Sequence, residues 1–189
     1  MINWSQHPKI NLAVHTLYRQ GVLAYPTEAI WGLGCDPFCE DAVSRILALK
    51  GRAEHKGLIL IAHHWDQFKP YLQGLDSAQL KTLQASRAKP TTWLIPHNGT
   101  APPWVVGDHD TLAVRVTGHP LAAGLCRAFG GPLVSTSANP QGLPAATSGF
   151  KVRCYFPQGL DYQTPGRVGG AARASEIRHL LSGEIIRQG

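Results

Sequence analysis

The chain has 189 residues, 43% of them hydrophobic and 16% charged, with a formal net charge of +6. A single domain over residues 1–189 can bury roughly 70% of the surface its unfolded form exposes, so no disulfide or metal staple is required. This composition excludes a disordered chain, and no apolar stretch approaches the ~20 residues that span a bilayer.

The eighteen Lys and Arg against twelve Asp and Glu favour anionic partners: nucleotides, RNA or an acidic protein surface. Charge alone does not choose among them. Residues 1–9 lack the basic patch and apolar run of a signal peptide, so an unanchored, cytoplasmic protein is expected. Cys35, Cys39, Cys126 and Cys154 show no Cys-x-x-Cys spacing and read as reduced, structural thiols.

Residues 8–20 carry Ile10, Ala13, Val14 and Leu17 at helical spacing, with Gly21 as the expected stop. A short apolar run, residues 22–25, reads as a buried strand closed by Pro26. Residues 41–50 form the clearest helix, ended by Gly51, and residues 57–62 a second buried strand. Short helices are expected at 65–72 and 77–84, then a strand at 91–96 and a long surface loop from 97 to 110. A strand at 112–116, a helix at 120–129 and a strand at 132–135 follow, with 184–187 closing the sheet. Residues 141–173, rich in Gly, Pro and Ala, read either as a flap over a site or as irregular surface, the latter being the plainer reading. Strands interleaved with helices indicate an α/β architecture.

The chain has no Gly-x-x-x-x-Gly-Lys-Ser/Thr loop, no Gly-x-Gly-x-x-Gly turn, no Gly-x-Ser-x-Gly elbow and no His-Glu-x-x-His motif. Four other places carry chemistry. Tyr25-Pro26-Thr27-Glu28 sits where a strand runs out, the usual ligand position in α/β sheets, although a capped turn explains it too. Lys50 and Arg52 end the clearest helix; they suit a polyphosphate, or simply the negative end of a helix dipole. Both are expected to stand outside the core. Ser135-Thr136-Ser137-Ala138-Asn139 offers three hydroxyls and an amide straight after an apolar run, in keeping with a phosphate or ribose cradle. Arg115 lies inside an apolar strand: central placement demands an anionic partner, whereas an edge position demands none.

Taken together these residues resemble the Sua5/YciO/YrdC family in its short bacterial form. The similarity runs from Tyr25-Pro26-Thr27-Glu28 through Lys50-x-Arg52, Lys56-Gly57-Leu58 and the strand at 112–116. It continues through Ser135-Thr136-Ser137-Ala138-Asn139 to Ser175-Glu176-Ile177-Arg178. Relatives usually carry Pro-Gly-Pro-x-Thr where this chain reads Ala88-Lys89-Pro90-Thr91-Thr92.

The resemblance implies a twisted mixed sheet flanked by helices around a large basic cavity. It implies a nucleotidyltransferase that makes threonylcarbamoyl-adenylate and pyrophosphate from L-threonine, bicarbonate or CO₂, and ATP. A separate transferase complex would pass the group to adenosine 37 of tRNAs reading codons that begin with A. Lys50 and Arg52 are then the catalytic cations. ATP would be held by these two with Arg115, Ser135, Ser137, Asn139 and Ser175, and threonine by Thr27 and Arg115, with Trp31 as an aromatic wall. Mg²⁺ is expected to accompany ATP, with no metal site built by the protein. The other reading is a double-stranded RNA- or tRNA-binding, ribosome-maturation factor using the same basic cavity without catalysis.

Overall fold

A computed structural model of the chain describes residues 3–85 and 89–189. Its centre is a nine-stranded sheet: β1 (Leu23–Pro26), β2 (Trp31–Gly34), β3 (Ile59–Ala62), β4 (Thr91–Pro96), β5 (Thr111–Val116), β6 (Leu133–Ser137), β7 (Tyr162–Gln163), β8 (Glu176–His179) and β9 (Ile185–Arg187). Across the sheet the order is β7-β1-β2-β6-β3-β5-β4-β8-β9, with parallel pairs β1/β7, β3/β5 and β4/β8 and antiparallel pairs elsewhere. The helices are α1 (Pro8–Tyr18), α2 (Glu40–Lys50), α3 (Ser77–Gln84), α4 (Pro103–Val106), α5 (Pro120–Phe129) and α6 (Gly149–Tyr155).

The local reasons are legible. α2 ends at Gly51, which takes φ of +62°, a left-handed cap that costs glycine little. α3 opens with a capping box: the Asp76 carboxylate accepts from Gln79 N, and the Gln79 amide oxygen accepts from Asp76 N. α1 departs from expectation at its end. It stops at Tyr18, the left-handed residue is Gln20 at φ of +61°, and Gly21 donates to Thr16 O.

Several elements gave no pattern in the sequence. β2 is only four residues, Trp-Gly-Leu-Gly, and its two glycines dilute any strand signal. The expected long loop at 97–110 contains α4, and the Gly/Pro-rich stretch 141–173 holds α6 and β7. The segment 65–72 is a 3₁₀ helix, as suits a run with Pro70 inside it.

Two apolar clusters cover the sheet. On one face, α1 and α5 pack over β1, β3 and β6 through Ile10, Leu17, Tyr25, Ile61, Leu125 and Leu133. On the other, α2 and the segments around Phe68 and Val105 pack over Leu33, Leu60, Val114 and Val134. All of these side chains are buried, and together they fix the strand register. α1 and α5 cover one face only in part. The remainder, around the start of β3, the C-terminal half of β5 and the C-terminal end of β6, carries polar residues.

Candidate active site

Register places the polar residues on one face of the sheet. Ser137 lies opposite Gly32, Ser135 opposite Ile59, and Arg115 opposite Ile61. Residues directly opposite in neighbouring strands point to the same side, so these side chains share the face that α1 and α5 leave uncovered. Gly32 keeps that surface low: a Cβ there would stand 3.5 Å from Ser135 Oγ and 3.6 Å from the Thr27 methyl. Above it lies an open cavity of about 160 Å³, walled by Thr27, Arg52, Arg115, Ser135, Ser137 and Ser175 among others. Residues more than a hundred positions apart therefore meet at one place.

The cavity is strongly cationic. Arg173 and Arg187 join Arg52 and Arg115 on its walls, four guanidinium groups against the single carboxylate of Glu28 among the described lining residues. Burial lowers the proton affinity of Arg52, and burial followed by the nearby Arg115 does the same to Arg187. The Arg52 Nη2 donates to Lys56 O (3.1 Å) and Gly57 O (2.9 Å), which fixes the guanidinium at the start of β3. Its Nε, like that of Arg115, is buried without a partner among the described residues. Guanidinium groups held on the wall of a cationic hollow suit an oxyanion.

Arg115 sits on β5, a central strand flanked by β3 and β4, so it needs the anionic partner its burial demands. Glu28 supplies it. The Glu28 carboxylate accepts from Arg115 Nη1 (3.1 Å), Thr117 Oγ1 (2.8 Å) and Gly118 N (2.9 Å). Burial pushes that carboxyl upward, but Arg115 and the three kinds of hydrogen bond outweigh it, and it lies below the ordinary carboxylate range.

Two expected ligands stand behind the wall instead of on it. Lys50 is 5% exposed, which corrects the expectation that it lies outside the core. Its ammonium donates to Ser137 O, to Asn139 O (2.8 Å) and, weakly, to Ser137 Oγ (3.5 Å). Burial, and then Arg52, push it down to about 8. Asn139 uses its amide Nδ2 on Leu143 O (2.7 Å) and Pro140 O (3.1 Å). Together they brace the turn that carries Ser137.

Thr27 lines the cavity with its methyl, while its hydroxyl donates to Ile30 O (2.7 Å) to close the β1–β2 turn. Trp31 borders the cavity, but alternation along β2 sends its indole to the opposite sheet face. There the ring edge lies against Gly149. The aromatic wall expected of Trp31 is thus not facing the hydroxyl-rich floor. Ser175 shares a hydrogen bond with Thr92 (Oγ···Oγ1, 2.8 Å), and its carbonyl accepts from Arg187 (2.7 Å). Pro90 and Thr92 of the atypical turn are in place; Ala88 lies outside the described residues.

Sequence reasoning missed Glu28, Arg173 and Arg187. Only Glu28 had a signal: an arginine on a buried strand demands a carboxylate, and Glu28 stood in a motif already singled out.

A profile of the Sua5/YciO/YrdC family, described as telomere recombination, matches residues 15–189. The chain belongs to that family. It is 51% identical over 187 residues to a protein of Cellvibrio japonicus (strain Ueda107) named threonylcarbamoyl-AMP synthase, covering 99% of each chain. A protein of the same name from Stutzerimonas stutzeri (strain A1501) is 56% identical over 167 residues, 88% of this chain and 90% of the other. Among solved structures, P. abyssi Sua5 complexed with L-threonine superposes with a TM-score of 0.84 at 26% identity, over 95% of this chain and 52% of that one. E. coli YciO superposes with a TM-score of 0.78 at 20% identity, over 95% and 88%. The mixed α/β sheet flanked by helices is therefore the fold of this family.

Proposed function

We propose that the protein is a threonylcarbamoyl-AMP synthase. In this reading it condenses L-threonine, bicarbonate or CO₂, and ATP into threonylcarbamoyl-adenylate and pyrophosphate, and so acts as a nucleotidyltransferase. The observation that carries the reading is the meeting of four arginines with Ser135 and Ser137 in one cavity, in a chain about half identical to proteins of that name.

The chemistry asks mainly for charge management. Threonine's amine takes up CO₂ as a carbamate, and a carbamate oxygen attacks the α-phosphorus while pyrophosphate leaves. Two anions must approach, and at an effective dielectric near 20 each cation about 4 Å away offsets roughly 4 kcal/mol before desolvation. Arg52 and Arg187, both on the cavity wall, suit the triphosphate and the attacking carbamate. Ser135 and Ser137 offer hydroxyls along the floor, and Ser175 closes from the C-terminal segment. Arg115, with one side engaged by Glu28, keeps its remaining donors for a phosphate or the threonine carboxylate. The Thr27 methyl fits the apolar side of threonine. Lys50 contributes through the turn it holds, and Asn139 likewise.

Mg²⁺ would arrive with ATP as a counter-ion of the phosphates. Glu28, the one carboxylate among the described lining residues, accepts from Arg115, Thr117 and Gly118, and we assign it to Arg115 and not to a metal. The adenylate would serve a separate transferase acting on adenosine 37 of tRNA, which places the work in the cytoplasm. Among the described residues no helix is long and apolar enough to cross a membrane.

The test is direct. Purified protein with ATP, bicarbonate and threonine should release pyrophosphate only when all three are present, and mass spectrometry should detect the adenylate. Arg52→Ala should lower turnover at least about a hundredfold, the scale for loss of a transition-state cation. Full turnover in that variant, or pyrophosphate release independent of threonine, would refute the proposal.

A further inference from the structure

β2 carries two glycines on one face, Gly32 and Gly34, and they differ in what occupies the space a side chain would take. Over Gly34 that space is full. A Cβ would stand 2.2 Å from Val134 O and 2.8 Å from the Tyr25 ring, so the fold itself requires glycine there. Gly32 has no such reason. Its backbone is outside the left-handed region, and a Cβ would come no closer than 3.4 Å to any atom beyond its chain neighbours. An alanine would make only ordinary van der Waals contact.

A glycine inside a buried strand weakens it, because it packs nothing and orders a freer backbone. Gly32 is paired on both edges, opposite Tyr25 of β1 and Ser137 of β6. The strand is thus no better for lacking a side chain here, but the cavity is. The atoms nearest the vacant position belong to Thr136 (O, 3.4 Å), Ser135 (Oγ, 3.5 Å) and Thr27 (the methyl, 3.6 Å). All three residues line the arginine cavity, as Gly32 does, so the vacancy belongs to that cavity.

Its surroundings specify what it takes. The backbone donors and acceptors of a doubly paired strand point along the sheet toward β1 and β6, so Gly32 offers a bound group space and not hydrogen bonds. A phosphate needs donors and gains little from such a spot. A small group with one apolar and one hydroxyl-bearing side matches the Thr27 methyl and the Ser135 hydroxyl. The side chain of threonine is such a group. We propose that Gly32 is a specificity-determining residue of the amino-acid subsite. Its missing side chain makes the room that the substrate's β-methyl fills, with that methyl against Thr27 and the β-hydroxyl toward Ser135. The inference deepens the synthase reading and rests on it for the identity of the substrate. In an open cavity of about 160 Å³ one added methyl is felt. Gly32→Ala puts a methyl where threonine's own would lie, whereas serine lacks that methyl and is still admitted.

The experiment compares threonine with serine in the native protein and in Gly32→Ala, by calorimetric binding and by pyrophosphate release from ATP and bicarbonate. The ratio of kcat/KM for threonine to that for serine should fall about ten- to two-hundredfold in the variant, the range for one methyl group in a pocket. The binding preference should fall with it, while the KM for ATP stays within about twofold. The variant should melt no lower than the native chain, since alanine suits a strand interior better than glycine. An unchanged ratio, or loss of both amino acids together, overturns the inference. So does a rise in the KM for ATP alone, or a Tm lowered by more than about 4 °C, which would make Gly32 a requirement of the fold. Binding separates this inference from the reading it uses. If the native protein binds threonine but releases no pyrophosphate, the synthase is refuted and the binding ratio still decides on Gly32. If it binds no threonine, the inference is overturned.

Discussion

Glu28→Gln offers the sharpest test of how the arginine cavity is held. The side chains of Arg115 and Glu28 are 9% and 14% exposed, and their contact is 3.1 Å. A glutamine keeps the shape but turns one oxygen into an amide nitrogen. Whichever way the amide sits, an N–H then faces a donor: either Arg115 Nη1, or Thr117 Oγ1 and Gly118 N. Removing one partner of a buried pair costs about 3–5 kcal/mol, and the acceptor that survives recovers part of it, leaving about 2–4 kcal/mol. For a chain of this size that lowers Tm by about 4–16 °C, measurable by calorimetry at pH 7.

The pH dependence adds a second reading. The folded Glu28 carboxyl lies below its ordinary value of 4.5, because Arg115 and the hydrogen bonds overcome the opposing effect of burial. A depressed carboxyl stabilises the fold above the unfolded value and loses that contribution as pH falls through the folded one. The difference in Tm between the native chain and Glu28→Gln should therefore be full at neutral pH and shrink in acid. A variant melting within about 2 °C of the native chain at pH 7, or a gap that widens in acid, would refute the reasoning.

Lys50 should give turnover an alkaline limb. Its folded value near 8, set by burial and then Arg52, is below its ordinary 10.5. Above pH 8 the ammonium loses a proton and its grip on Ser137 O and Asn139 O weakens, so turnover should fall. Its own contribution to stability instead rises from pH 8 to 10.5, where the unfolded chain binds more protons. A pH–rate profile flat to pH 9.5, about one and a half units past the folded value, would contradict this. Gly34→Ala should cost about 2–3 kcal/mol, because its Cβ would stand 2.2 Å from Val134 O and 2.8 Å from the buried Tyr25 ring, neither of which can yield. Thermal melting checks it. Finally, iodoacetamide at pH 8 should label exposed Cys154 in the folded protein, while Cys35 and Cys126 react only after unfolding. Burial pushes both of the latter thiols up, Cys126 to about 12, and peptide mapping by mass spectrometry reads the order.

The sequence by itself determined the long periodic elements. α2, α3, α5 and β4 stand within a residue of where their apolar spacing and end signals put them, since such spacing is a local property of the chain. It also singled out Thr27, Arg52, Arg115, Ser135, Ser137 and Ser175, all of which reach one cavity. What no local pattern could decide was which group each polar side chain would meet. Lys50 looked like a solvated helix end and became a buried strut for the Ser137 turn, because β6 runs back beside that end of α2. Glu28 and Arg115 are 87 residues apart, and only the sheet order that centres β5 brings them together. Trp31's side of the sheet was set by strand register, a property of the partner strands as much as of its own. Periodicity is written residue by residue, whereas pairing between distant side chains exists only once the chain has closed upon itself.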